Sequence, residues 1–375
     1  MKILYGVQGT GNGHIARARA MASAFSDHGD LDVQFLFSGR SEDAYFDMDV
    51  FGDYLCRKGL SFVSRAGKVD MLNTVKTNNL WQFIKDVKAL DVRSYDLVIS
   101  DFEPISAHAA KRQKVRSISI SHQSAFSYEV PKRGQNLLDR LIMQYFAPTD
   151  TKIGLHWYHF NQPILPPIID LATTVSSRGD TILTYLPFER LDDVIETLAH
   201  FSAPFVCFHP DCKTPMQHNN IAVRPLSKAA FHHALKSCAG VIANGGVELP
   251  SEALSLGKKL LLKPLNGQFE QQSNVATLDM MGLASVMETL DKGAIASWLA
   301  QKESHRVIYP EVSTALADWL AAGDLSTLKE LRDALWSQVI FPEHIADLMS
   351  DFLPIQQRKR AMFNMQLSSD INAKI

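Results

Sequence analysis

Short apolar segments that alternate with amphipathic ones are the feature that most restricts how this 375-residue chain folds. Residues 2–7 (KILYGV), 32–39 (DVQFLFSG), 96–101 (DLVISD) and 116–121 (RSISIS) read as strands buried inside a parallel sheet. Between the first two, residues 13–25 (GHIARARAMASAF) space Ala, Ile and Met onto one helix face, with Arg17 and Arg19 off it. Residues 163–172 (PILPPIIDLA) carry prolines that break helix and sheet alike, which marks a linker. A second strand series follows at 181–187, 204–210, 221–226, 240–246 and 259–265, with helices that include 231–239 and 249–257. The expected fold class is therefore α/β, with two Rossmann-like, doubly wound domains, one over residues 1–160 and one over 161–330. Ligands of such sheets sit at the carboxyl ends of the strands, so two facing sheets share a cleft. A helical segment within 325–353, assigned from 331 to 352, is expected to pack back across that cleft, and 353–375 reads as a tail.

Composition narrows the function classes. Hydrophobic residues at 46% and charged residues at 21% describe a folded globular chain. A net charge of −2 gives no global attraction to nucleic acid. No apolar run approaches the roughly 20 residues of a membrane-spanning helix, and Met1 leads straight into a strand, so a cytoplasmic location is expected. Cys56, Cys207, Cys212 and Cys238 have neither a disulfide framework nor ligand spacing and read as ordinary thiols. Arg358, Lys359 and Arg360 beside Met362 and Phe363 offer at most weak contact with the inner face of an anionic membrane.

Two stretches carry chemistry. In the first, Gly9, Thr10, Gly11, Asn12 and Gly13 join a strand to a helix, where the backbone turns sharply and glycine permits φ > 0. The spacing lacks the third glycine of a dinucleotide fingerprint. His14 falls in the first helical turn, where the positive helix end favours a neutral imidazole able to accept a proton; a histidine satisfying a local carbonyl is equally compatible. Asp101 ends a strand at the same sheet edge and either orients His14 or caps the helix over 104–113. His122, after the next strand, lines the acceptor side or belongs to a plain loop.

The second stretch runs over 241–284. A strand ends at Asn244, Gly245 and Gly246 allow close backbone approach, and the helix entered through Val247 offers unpaired N–H groups to a diphosphate. Glu252 suits ribose hydroxyls, or is an acid favoured near a helix N-terminus. Gln268, Glu270, Gln271 and Asn274 form a polar cluster suited to sugar hydroxyls, or a solvated loop. His156 and His159 (HWYH) lack a carboxylate or thiolate partner and read as packing or acceptor-cleft residues rather than zinc ligands. No metal site is expected.

The segment ANGGVELPSEALSLGKKLLLKPLNGQFEQQSNVATL resembles the donor-site signature of GT-B glycosyltransferases, closest in pattern to the UDP-glycosyltransferases and the lipid II N-acetylglucosaminyltransferase. GTGNGHIARARAMASAF is similar to the N-terminal motif of the same group, and the two lie in the order the family uses. The resemblance covers most of residues 1–345. It implies transfer of a sugar from a nucleotide sugar, UDP-linked by expectation, to a hydroxyl acceptor such as a lipid or glycan, with inversion and without a metal or other cofactor. It also implies that His14 is the base and Asp101 its partner. Gly245 and Gly246 would hold the diphosphate, Glu252 the ribose, and Glu270 with Gln271 the donor sugar. Leu226 to Phe231, including Ser227, would face the nucleobase. Two departures stand out: Asn244 replaces a histidine of plant-type members, and Pro250 replaces a Thr or Ser. A sugar-nucleotide 2-epimerase of the same fold and a non-catalytic sugar-nucleotide-binding regulator are the alternatives.

Overall fold

Burial on both faces gives the strands of this chain their continuous apolar runs. The computed structural model describes residues 1–348 apart from 46, 61–63, 66–67, 70–78, 170–176, 178, 303, 344 and 346–347. The expected tail, the basic triplet at 358–360 and the end of the returning segment lie outside the described residues.

The first sheet contains β1 (Lys2–Gln8), β2 (Asp32–Ser38) and β3 (Leu55–Arg57). After a small antiparallel ribbon of β4 (Ser64–Arg65) and β5 (Lys68–Val69), it continues through β6 (Leu97–Asp101), β7 (Ser117–Ser121), β8 (Thr151–Leu155) and β9 (Ile164–Leu165). Its strands are parallel in the order β3-β2-β1-β6-β7-β8-β9. The chain winds outward from β1 in one direction and returns on its other side at β6, so the crevice between their carboxyl ends is a topological switch point. Val7 pairs with Asp101 at that edge.

The helices of this half are α1 (Asn12–Ser26), α2 (Leu80–Ala89), α3 (Pro104–Gln113), α4 (His122–Ala125) and α5 (Leu137–Tyr145). The second sheet is built from β10 (Ile182–Tyr185), β11 (Phe205–Phe208), β12 (Met216–His218), β13 (Ile221–Arg224), β14 (Gly240–Asn244), β15 (Lys259–Lys263) and β16 (Ser285–Val286). Its order is β12-β13-β11-β10-β14-β15-β16, with only β12 antiparallel, and its switch point lies between β10 and β14. Its helices are α6 (Leu191–Leu198), α7 (Lys228–Ser237), α8 (Glu248–Ser255), α9 (Phe269–Met280) and α10 (Lys292–Ala300). The two switch points put the turn into α1 and the turn into α8 on facing walls.

Two sequence expectations change. The proline-rich segment is not simply a linker, because Ile164 and Leu165 are fully buried and pair with Gly154 and Leu155 as the edge of the first sheet. Pro163 lacks an N–H, but an edge position needs only its carbonyl, which accepts from the Gly154 N–H at 2.9 Å. The return to the first half also begins earlier than 331. On α11 (Val312–Ala322), Val312, Leu316, Ala317, Trp319 and Leu320 join Ile3, Tyr5, Ala18 and Met21 in one core. The alanines of α1 present a shallow face that a second helix can approach closely, and the apolar stripe of α11 fills it. The following helix, α12 (Leu328–Trp336), is tied down by Trp336 Nε1, which donates to the Ile164 carbonyl at 2.7 Å.

Leu316→Ala should remove about 2–5 kcal/mol from the first core. Hydrogen exchange should quicken in β1 and β2 while β10 and β14 amides keep their protection. His159 stacks on Tyr158 at 4.5 Å and packs tilted against Trp336 at 5.4 Å. Burial, and then the Arg332 charge, push its imidazole down from 6.5 to about 4. A histidine depressed in the folded state binds its proton more readily when unfolded, so stability is lost as pH falls from 6.5 through about 4. His159→Gln should flatten the fall in urea midpoint across that window.

Candidate functional site

The first wall begins where β1 ends. None of Gly9, Gly11 and Gly13 has positive φ, contrary to the expectation from the sequence. Two leave room for neighbouring side chains instead: a Cβ on Gly9 would collide with the Tyr45 ring, and one on Gly13 would push the Glu248 carboxylate aside. Arg40 braces the loop, donating to the Gly9 carbonyl and, at 3.1 Å, to Asn12 Oδ1, while Gln8 Nε2 donates to Thr10 Oγ1 at 2.6 Å. Helix α1 starts after Gly11 without a side-chain cap, and His14 sits in its first turn with 14% of its side chain exposed.

Asp101 is fully buried at the end of β6. It does not cap α3. Glu103 does, accepting from the Ile105 and Ser106 N–H groups at 2.8 and 2.6 Å and from Ser38 Oγ at 2.6 Å. Burial pushes the Glu103 carboxyl above its usual range despite those donors. Between them Phe102 takes φ = +53°, strained for a bulky residue, and stacks on Phe146 at 4.9 Å. Asp101 is thus left pointing at α1. Its Oδ1 lies 2.9 Å from His14 Nδ1, and its two oxygens accept from Arg17 Nη2 at 2.8 Å and Nε at 2.9 Å. Burial raises the Asp101 carboxyl, but Arg17 and then His14 outweigh it and hold it below the ordinary aspartate value.

Arg17 reverses its sequence assignment. It is 2% exposed rather than off the buried face. Three residues after His14, it lies on the same side of α1 and also donates across the cleft to Glu248 of α8. Burial opposes its charge, yet Asp101 and Glu248 raise its proton affinity above that of an ordinary arginine.

The neighbours of His14 fix its tautomer. Gln123 Nε2 donates to Glu270 Oε2 at 3.1 Å, which orients the amide, and the same nitrogen faces His14 Nε2 at a long 3.4 Å. An amide N–H there requires a lone pair on Nε2. The ring proton is therefore on Nδ1, donated to Asp101, and Nε2 is the basic atom. Arg17 Nη2, 3.1 Å from Nδ1, is then a second donor converging on Oδ1 rather than a partner of the ring.

The second wall follows β14. A Cβ on Gly245 would meet Val275 Cγ2 at 2.6 Å and the Gln271 carbonyl at 2.9 Å, whereas one on Gly246 would meet nothing within 4 Å. Gly245 lets α9 pack; Gly246 faces open space. Val247 precedes α8 with no side-chain cap, so its first N–H groups remain for a ligand. Asn244 Nδ2 donates to the Lys263 carbonyl at 3.0 Å, leaving its buried Oδ1 with no partner among the described residues. The Oε1 atoms of Gln268 and Gln123 are in the same condition. These are acceptors placed for hydroxyl or N–H groups.

The remaining candidates divide. Glu270 reaches the His14 cluster through Gln123. Gln271 uses Oε1 to accept from the Leu265 N–H at 2.9 Å and is 6% exposed, as is Glu252 on α8. Leu226 is 43% exposed, Ser227 caps α7, and Phe231 packs edge-on against Tyr185 and Phe208, on the other side of β10 from β14. His122 is corrected: it is fully buried, with Nδ1 donating to the Leu155 carbonyl at 2.8 Å and Nε2 2.6 Å from Asn274 Oδ1, so it joins the two halves and does not face an acceptor. Trp157 Nε1 makes a similar link, donating to Ser251 Oγ at 2.9 Å. His156 is fully buried and packed among aromatic rings. Among the described residues no three His, Cys, Asp or Glu side chains are arranged to hold a metal, and no helix is long and apolar enough to cross a membrane.

The architecture is that of known glycosyltransferases. The calicheamicin glycosyltransferase CalG4 superimposes with a TM-score of 0.52 at 15% identity, covering 90% of this chain and 97% of that one. SsfS6 of Streptomyces sp. SF2575, complexed with thymidine diphosphate, gives 0.54 at 13%, covering 86% and 95%. LpCGTa in complex with UDP gives 0.54 at 12%, covering 89% and 98%. No curated protein matches the sequence. The family model for glycosyl transferase family 1 matches residues 1–302, and the chain, with its two Rossmann-like domains in the GT-B arrangement, belongs to that family of glycosyltransferases.

Proposed function

We propose that the protein transfers a sugar from a pyrimidine nucleoside diphosphate sugar, UDP-linked in the first instance, to a hydroxyl acceptor by a single inverting displacement. One observation carries this reading: His14, in the first turn of α1 with 14% of its side chain exposed, has Nδ1 held 2.9 Å from the buried Asp101 carboxylate, which leaves Nε2 to take a proton. The acceptor oxygen attacks the anomeric carbon, His14 Nε2 takes its proton, and the bond from that carbon to the diphosphate oxygen breaks. Asp101 stays ionised and balances the imidazolium. The departing diphosphate accumulates charge beside the open space at Gly246, where the uncapped N–H groups at the start of α8 offer preorganised donors, a role that needs no metal. Glu252 is assigned to the ribose, Glu270, Gln271 and Gln268 to the donor sugar, and the segment from Leu226 to Phe231 to the base. UDP and thymidine diphosphate in two structures of the same fold support a pyrimidine nucleotide. The acceptor, a lipid or glycan hydroxyl, would enter from the side of α1.

His14→Ala should leave UDP binding, read by calorimetry, within about twofold and lower transfer by about 10²–10⁴-fold. Transfer is followed as UDP release from UDP-sugars against a panel of hydroxyl acceptors. Wild-type rates in that variant would exclude His14 as the base. Addition of EDTA should not change the rate, and a loss restored by divalent metal would refute the metal-free mechanism.

A further inference from the structure

We infer that the outer face of the first domain, made by α2 and α5 beside α3, docks on the surface of an anionic lipid bilayer. The inference goes beyond the proposed transfer and does not depend on the chemistry at His14.

Both helices turn their apolar residues outward. On α2, Leu80, Trp81 and Ile84 are exposed, Trp81 by 78%, and only Val87 is buried. On α5, Leu137, Leu138, Leu141 and Tyr145 are exposed, and no residue of the helix is buried. The exposed residues recur about one turn apart, so each helix carries an apolar stripe. Such stripes ordinarily face a core, and here the core does not use them. The two helices are brought together at α3. The Phe83 ring of α2 packs edge-on against His108 at 5.6 Å, and His108 lies against the backbone of Tyr145 and Phe146 at the end of α5.

The charges around the stripes select the partner. Asp91 is matched by Arg93 at 2.7 Å, and Glu129 lies beside Lys132. Asp86 accepts from Gln82 at 2.8 Å, and Asp139 is drawn into the capping box of α5. Against these last two acids stand Lys85, Lys88, Lys111, Arg112 and Arg140, all exposed, so the face carries excess positive charge. Protein interfaces are depleted in lysine. Lysine and arginine beside outward apolar residues, with Trp and Tyr among them, instead suit the headgroup level of an anionic bilayer. The face also reaches the rim of the cleft. Just before α5, the Arg133 N–H donates to Ser273 Oγ of α9 at 3.0 Å, and the Arg133 side chain pairs with Glu288 at 2.7 Å. A bilayer seated here lies beside the helix that carries Glu270, which favours, on the proposed reading, a lipid hydroxyl as the acceptor.

The test uses the full-length protein and sucrose-loaded vesicles, one set of phosphatidylcholine and one of phosphatidylcholine mixed with phosphatidylglycerol. Wild type should sediment with the mixed vesicles, and added salt should weaken the binding. Trp81→Glu combined with Leu141→Glu should lower the partition coefficient by about tenfold or more at an unchanged melting temperature. Lys85→Glu combined with Arg140→Glu should lower it on the mixed vesicles. Tryptophan emission should shift to the blue on binding, and Trp81→Phe should bind without that shift, because Trp81 is the exposed tryptophan. Wild type that stays in the supernatant with both vesicle sets would overturn the inference. Binding left unchanged by Trp81→Glu with Leu141→Glu would overturn it too, by placing the contact elsewhere, the basic residues near the C-terminus included. A dimer dissolved by the same substitutions, with no vesicle binding, would assign the face to a second copy of the chain. His14→Ala should bind vesicles as wild type does whether or not it transfers sugar, so loss of the base assignment leaves the docking face standing.

Discussion

Arg17 is the interaction on which this architecture turns. A guanidinium that is 2% exposed is tolerated only because carboxylates from two directions neutralise it, Asp101 from its own sheet and Glu248 from the facing domain. Removing one partner from a buried pair of this kind typically costs about 3–5 kcal/mol, because the other charge is left without water or counter-charge. The loop after β6, the first turn of α1 and the start of α8 are therefore bound to one another electrostatically. Glu103 serves the same end from behind. By capping α3 and accepting from Ser38 it fixes the strained Phe102 turn, and that turn aims Asp101 at α1.

Topology explains why these groups meet. Each sheet reverses its winding once, at β1 and β6 in the first and at β10 and β14 in the second. At such a point the chain leaves adjacent strands in opposite directions and opens a crevice that no helix fills. The two crevices face each other, and the His14 loop and the Gly245–Gly246 loop enter them from opposite walls. The interface is also tied outside the crevice, by His122 with Asn274 and by Trp157 with Ser251. The return of α11 into the first core joins the two halves covalently a second time, after the second sheet is complete.

What the sequence disclosed follows from the range of each force. Strands buried on both faces announce themselves locally, and the glycine turns mark the strand-to-helix junctions of a Rossmann-like fold. The pairing of His14 with Asp101, 87 positions apart, is readable because Asp101 ends β6 and His14 opens the helix that follows the neighbouring β1, both at one edge of the sheet. Arg17 was misassigned because helix periodicity places charge outward by default, and only its spacing of three from His14 hinted otherwise. Gln123 and Glu248 left no local sign, since each acquires its partner only when two domains meet. His122 misled for the opposite reason: a histidine after a strand end suggests a cleft, but here both nitrogens are engaged in holding the halves together. The edge strand at Ile164 was hidden by its prolines, which an edge position tolerates.

The glycines near the N-terminus bring these strands of argument together. A strand–glycine–helix junction is ordinarily explained by backbone torsion or by approach of a phosphate. Here Gly9 makes room for Tyr45 and Gly13 for a carboxylate of the other domain, while a Cβ on Gly11 would meet only the His14 ring, at 4.0 Å. Two of the three positions are occupied from outside by side chains that other elements bring to them, which accounts for glycine there without a bound nucleotide. On the proposed reading the nucleotide is left to the second domain, where Gly246 alone of the facing pair borders empty space.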